Sequence, residues 1–129
     1  MQVYYFTRTG RSKKVAEELA ERYETKAQEI ADDVNWQGAM GYLKAGYEAF
    51  RKEARPARYN KPTADEELIL VFPVWAGTFP PAVRSFLEME GRAKVICMPT
   101  SIGSKLNDRD GFVKVIDLVG KTITTPESI

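Results

Sequence analysis

Leu68-Ile69-Leu70-Val71-Phe72 is a run of five apolar residues with Glu67 before it and Pro73 after it. A strand with one wet face alternates apolar and polar residues. A continuous run fits a strand covered on both faces, as in parallel sheets with helices packed above and below. Val3-Tyr4-Tyr5-Phe6 and Val95-Ile96-Cys97-Met98 repeat the signature, so three central strands are expected. Two weaker segments read as edges: Lys26 to Ile30, with little apolar content, and Phe112 to Val119, interrupted by Lys114 and Asp117.

Helical patterns separate the strands. From Ser12 to Tyr23, Val15, Leu19 and Tyr23 recur at i, i+4 and i+8, with Ala16 and Ala20 widening the stripe. Asn35 or Asp33 is expected to cap a second helix running to about Lys52. Its buried stripe is read as Trp36, Met40, Leu43, Tyr47 and Phe50, with Ala39 alongside. Gly38, Gly41 and Gly46 each weaken that helix by roughly 1 kcal/mol relative to alanine where they lie in its interior, so packing must hold it. Arg51 to Lys61 reads as a solvated connection with exposed charge. A third helix starts at Pro80-Pro81, buries Val83, Phe86 and Leu87, and stops at Gly91. Alternating strands and helices over 129 residues predict one α/β domain, 1–129. Placing the apolar strands centrally gives a five-stranded parallel sheet of order 2-1-3-4-5.

Composition narrows the chemistry. The chain has no histidine and one cysteine. That excludes Ser-His-Asp and Cys-His catalysis and the usual zinc sites, so chemistry is either brought by a cofactor or absent. Cys97 lies within a buried strand and reads as inert core. A net charge of +1 argues against a nucleic-acid binder defined by bulk charge. No apolar run is long enough to span a membrane, and a single cysteine fits a cytoplasmic protein. Asp108-Arg109-Asp110-Gly111 starts like a calcium loop, but Val119 stands where the twelfth-position glutamate belongs, leaving a turn.

In an open parallel sheet, ligands bind beyond the carboxyl ends of the strands, where strand order reverses. Three loops meet there in a 2-1-3-4-5 sheet. Thr7-Arg8-Thr9-Gly10-Arg11-Ser12 joins a strand end to a helix start, where unpaired N–H groups and hydroxyls suit a phosphate. Pro73-Val74-Trp75-Ala76-Gly77-Thr78-Phe79 offers an indole beside a glycine. Pro99-Thr100-Ser101-Ile102-Gly103-Ser104 offers small polar groups. Together they describe a pocket for a flat heterocycle carrying a phosphate.

These segments resemble the flavodoxin family. Thr7-Arg8-Thr9-Gly10-Arg11-Ser12 is similar to the family's phosphate loop, Thr/Ser-x-Thr-Gly-x-Thr, with serine in the last place. Phe72 to Leu87 resembles the loop and helix after the family's third strand, and Pro99 to Ser104 falls at its third FMN loop. The resemblance covers about residues 2–104. It implies a flavodoxin-like three-layer sandwich and FMN as cofactor. Thr7, Thr9 and Ser12 would donate hydroxyls to the phosphate, with backbone N–H groups from Arg8 through Gly10 and Arg11 to Ser12. Pro73, Val74, Trp75, Ala76 and Gly77 would border the isoalloxazine, with Trp75 stacked on it and Gly77 near N5. Thr100, Ser101, Ile102 and Gly103 would reach the pyrimidine edge. The reactivity would belong to the flavin.

The chain departs from that pattern in places. The third loop has no tyrosine or tryptophan, and Arg8 and Arg11 stand at the ligand end of a family whose electron carriers are typically acidic. Pro99 to Gly111 contains no convincing amphipathic helix. Thr125-Pro126-Glu127-Ser128 reads as the start of a fifth helix that is missing. Without it, apolar surface over the later strands is expected to stay open and to recruit a second copy or a partner protein. Two functions follow: an FMN-binding redox protein, either an electron carrier or a small flavin-dependent reductase, and a flavodoxin-fold module that has lost its cofactor and binds partners.

Overall fold

A computed structural model describes residues 1–32, 37–51 and 55–129. The elements run β1 (Gln2–Tyr5), α1 (Arg11–Arg22), β2 (Ala27–Glu29), α2 (Gly38–Phe50), β3 (Leu68–Pro73), α3 (Pro81–Glu90), β4 (Val95–Ser101), β5 (Lys114–Val115) and β6 (Leu118–Val119). All strand pairs are parallel, in the order β2-β1-β3-β4-β5, with β6 also on β4. This is the flavodoxin-like arrangement. The expected fifth strand is split in two. Ile116 and Asp117 interrupt it, Ile116 donating its N–H to the Cys97 carbonyl at 2.8 Å while Asp117 holds Arg109. β4 runs farther than its apolar residues foretold, through Pro99, Thr100 and Ser101. No described helix is long and apolar enough to cross a membrane.

Alternate residues of the central strands enter two cores, as the pleat requires. Val3, Tyr5, Ile69, Val71, Ile96 and Met98 pack against Val15, Ala16, Leu19 and Ala20 of α1. On the other face, Tyr4, Phe6, Leu70, Phe72 and Cys97 meet Ala82, Val83, Phe86 and Leu87 of α3. Burial pushes the Cys97 thiol up to about 12, as expected of an inert core cysteine.

The uncovered sheet face expected at the chain end is not open. Residues 120–129 form no helix. They run extended beside α1, with Ile123 and Ile129 packed on the α1-side core together with Ile116. Arg22 donates to the carbonyls of Pro126 and Glu127 at 2.6 and 3.2 Å, and Thr125 hydrogen-bonds Glu18. An extended strap thus buries what a helix would have buried, which removes the ground for a homodimer on that face. The connection from β4 to β5 also lacks a helix. Leu106 is buried, Phe112 packs on Phe79, and Arg92 stacks on both rings while forking onto Asp108 at 2.7 and 2.8 Å.

The second helix has the expected period and the opposite face. Met40, Leu43 and Tyr47 are 78%, 63% and 60% exposed, while Gly41, Ala45, Glu48 and Ala49 face inward. The small residues let the helix approach the rest of the molecule, and that forces the bulky ones outward. Asp33, Asn35, Trp36 and Lys52 lie outside the described residues, as does the side chain of Phe50; the helix is preceded by Gln37, which makes no side-chain cap. Glu48 is buried and forks with Arg55 at 2.5 and 2.8 Å. Arg55 in turn joins α3 through its backbone, accepting from Ser85 Oγ at 2.5 Å. The basic connection is therefore partly structural, not simply a solvated surface.

Its other anchor is Tyr59, stacked edge-on against Phe86 and donating to Glu90 at 2.8 Å. Burial first, then the hydrogen bond to Glu90, raises its phenol from 10.0 to about 12. In the unfolded chain the phenol ionises near its ordinary value, so the unfolded state releases the proton first. The stability that the neutral phenol contributes is therefore complete below about pH 10 and lost as pH rises through about 12. Tyr59→Phe cannot ionise and should lose less stability over that window in urea titrations. Parallel alkaline losses in both proteins would show that Tyr59 contributes nothing to the limb.

Candidate functional site

The carboxyl ends of β1, β3 and β4 open on a cleft of about 440 Å³, within the usual range for small-molecule sites. The cleft is lined by thirteen of the fifteen residues that the sequence pointed to: Thr7, Arg8, Thr9, Arg11, Ser12, Pro73, Val74, Trp75, Ala76, Thr100, Ser101, Ile102 and Gly103. Ala45 and Gly46 of α2, which sequence reasoning missed, also line it, as does Ser104 at the end of the third loop. The signal for the first two was present: glycine in the middle of a helix is a poor choice unless something must come close.

The first loop bends so that Gly10, in the left-handed region at φ 95, precedes α1. Thr7 Oγ1 accepts the Gly10 N–H at 2.9 Å, which closes the bend. α1 therefore starts without a side-chain cap and without an acidic residue in its first turn. Its first N–H groups have no intrahelical acceptors, and the positive end of the helix dipole is left uncompensated. Gly10 itself shapes this corner without lining the cleft. The Thr9 side chain is exposed beside it.

The other side chains of the loop are more committed than the motif implied. Ser12 is buried, and its hydroxyl shares a 2.9 Å hydrogen bond with Thr100 Oγ1, joining α1 to the end of β4. The Arg11 guanidinium donates to the carbonyls of Ser101 and Gly120, clamping the end of β4 to the strap along α1. Arg8 donates to the Gly38 carbonyl at 3.1 Å, and Gln37 returns a bond to the Arg8 carbonyl at 2.5 Å. Both arginines thus fasten neighbouring segments to the rim while adding positive potential there.

The second loop is a tight hairpin. Trp75 and Thr78 exchange both backbone hydrogen bonds at 3.0 and 2.9 Å, with Ala76 and Gly77 at φ 50 and 77 between them. Two positive φ values in sequence make a type I′ turn. Gly77 does not line the cleft. Its carbonyl accepts the Asn107 N–H at 2.7 Å, and a Cβ at this position would fall 2.7 Å from Asn107 Nδ2. The positive φ is what favours glycine here, since the near atom is the end of the Asn107 side chain, which can turn away. Trp75 borders the cleft, yet it is only 8% exposed and packs edge-on against Phe6 at 5.5 Å. Its indole is a fixed part of the wall. The third loop joins the second through Val74 N–H to the Thr100 carbonyl at 2.9 Å, and Ser101 Oγ donates to the Ser104 carbonyl, folding that loop back on itself.

No family model and no curated protein sequence matches the chain. Solved structures do. A flavoprotein from Lactobacillus acidophilus NCFM crystallised in complex with FMN is 17% identical, with a TM-score of 0.70 over 92% of this chain and 90% of that one. A putative flavoprotein from Bacteroides eggerthii is 19% identical, with a TM-score of 0.71 over 91% and 86% of the two chains. Another, from Bacteroides uniformis, is 21% identical, with a TM-score of 0.67 over 94% and 90%. Likeness at such identities establishes the shared fold.

Proposed function

We propose that the cleft binds FMN and that the protein is a flavodoxin-like redox protein of the cytoplasm. The observation that carries this reading is the uncapped, acid-free start of α1, set at the end of a cleft bordered by Trp75. An anion is the natural complement of that helix end. A dianionic phosphate there would accept from the first-turn N–H groups and from the Thr9 hydroxyl, with Arg8 and Arg11 adding potential. The flavin, when bound, supplies the electron chemistry. The chain's own contribution is to hold the phosphate, to present Trp75 and Val74 as a rigid wall, and to keep water from the buried side of the cleft. The FMN complex of the Lactobacillus flavoprotein supports this choice of ligand.

One observation favours the alternative, a module without cofactor. The Ser12 hydroxyl and the Arg11 guanidinium already have partners within the protein. Titration of the purified protein with FMN decides between the readings, by flavin fluorescence and by thermal shift. Saturable quenching with a rise in melting temperature supports the cofactor, and neither effect at millimolar FMN would leave the binding module. Thr9→Ala should then weaken FMN by roughly 1–3 kcal/mol, the worth of a hydrogen bond to a charged group. An unchanged Kd in that variant would place the phosphate elsewhere.

A further inference from the structure

The outward face of α2 carries a row of large apolar side chains beside the cleft. Met40, Leu43 and Tyr47 follow one another at helical spacing and are each more than half exposed. The same helix lines the cleft through Ala45 and Gly46, and Leu43 stands one turn before Gly46, so the row borders the cleft along this edge. On the β4 side, Ile102 lines the cleft and is 65% exposed. Large apolar side chains left exposed along one helix face and on the rim of a cleft mark a contact surface.

Charge indicates what would cover it. Lys44 sits within the row, and the Arg51 guanidinium lies 5.9 Å over the Tyr47 ring. Arg8 reaches the start of the helix. The one carboxylate of α2, Glu48, is turned inward onto Arg55, with Lys44 Nζ 3.9 Å from its other oxygen, so one negative charge faces two positive ones. Among the described residues, then, the exposed face of α2 is apolar and cationic. A second copy docked about a two-fold axis would set the same patch against itself, bringing like charges together at a cost. A partner with carboxylates around an apolar centre meets no such penalty.

We propose that this face docks an acidic electron-exchanging protein over the mouth of the cleft, a proposal that rests on the redox reading of that cleft. Docking here places the partner against the site, and small interfaces suit complexes that must form and part quickly. The test is an NMR titration of isotope-labelled protein, FMN-loaded and FMN-free, with an acidic two-iron ferredoxin and with basic cytochrome c. Shifts at Leu43, Tyr47 and Arg51 with the ferredoxin are expected, and the affinity should fall about tenfold between low and physiological salt. Leu43→Gln and Arg51→Glu should each weaken the complex about tenfold with the FMN Kd unchanged. Equal affinity for cytochrome c, or full ferredoxin affinity in Leu43→Gln, would overturn the proposal. So would a dimer in light scattering that Leu43→Gln dissolves, since the row would then be a self-contact. Failure of FMN to bind would count against the cofactor reading alone, because the FMN-free titration still reports on the surface.

Discussion

Replacing Gly46 with leucine is expected to weaken FMN binding about a hundredfold while leaving the protein folded, and more stable than before. Gly46 lies inside α2 with an ordinary helical backbone, and a Cβ built on it meets nothing within 4 Å. The open space is the cleft that Gly46 lines. Two effects therefore separate. The helix gains about 1 kcal/mol from losing an interior glycine. The ligand loses its room, and forcing extra methylenes into a filled site costs about 3 kcal/mol, roughly a hundredfold in Kd. The loss of binding outweighs the gain in the helix and has the opposite sign, so stability and affinity should move apart. Gly46→Ala is the control: it adds one methyl group, should keep most of the affinity, and should raise the melting temperature slightly. If Gly46→Leu binds FMN normally, α2 does not form a wall of the occupied site. If it unfolds, the glycine serves packing and the cleft argument fails.

The same helix shows where sequence reading succeeds and where it stops. Its period was legible, because Met40, Leu43 and Tyr47 recur at helical spacing. Its orientation was not. Gly41, Ala45 and Ala49 recur with the same period one or two residues along, and the usual rule places the bulky set inside. Here the small set is inside, because only small residues let the helix approach the cleft. The central strands carried no such ambiguity: a run such as Leu68 to Phe72 has no polar face to turn outward. The three loops followed from the strand ends, and so did most of the cleft. Contacts between distant residues with no local pattern were not readable. Nothing around Ser12 announces its bond to Thr100, and nothing around Glu48 announces Arg55. The strap beside α1 reads locally as the start of a helix because Thr125-Pro126 satisfies the rule for one. What decides its course is the packing of Ile123 and Ile129 against the α1-side core.

Leu106→Ala is expected to destabilise the protein by about 2–5 kcal/mol, a core-sized loss from a residue in a connection without secondary structure. The β4–β5 segment has two kinds of anchor. One is the fork between Arg92 and Asp108, whose side chains are 26% and 45% exposed; pairs so open to water contribute about 0–1 kcal/mol. The other is Leu106, 2% exposed and buried with Phe79 and Trp75 in the α3-side core. Removing most of its side chain leaves a cavity that the surrounding rings cannot close. Asp108→Ala should therefore be mild and Leu106→Ala severe, as measured by urea denaturation of both. A loss below about 1 kcal/mol for Leu106→Ala would mean that the segment hangs on its charges instead. The effect should also reach the site. Asn107, next in the chain, holds the Gly77 carbonyl behind the Trp75 hairpin, and residues 101–104 line the cleft on the other side of Leu106. An apolar anchor in a connection without a helix thus fixes two of the three cleft loops at once. FMN affinity in folded Leu106→Ala should drop, whereas Asp108→Ala should keep it.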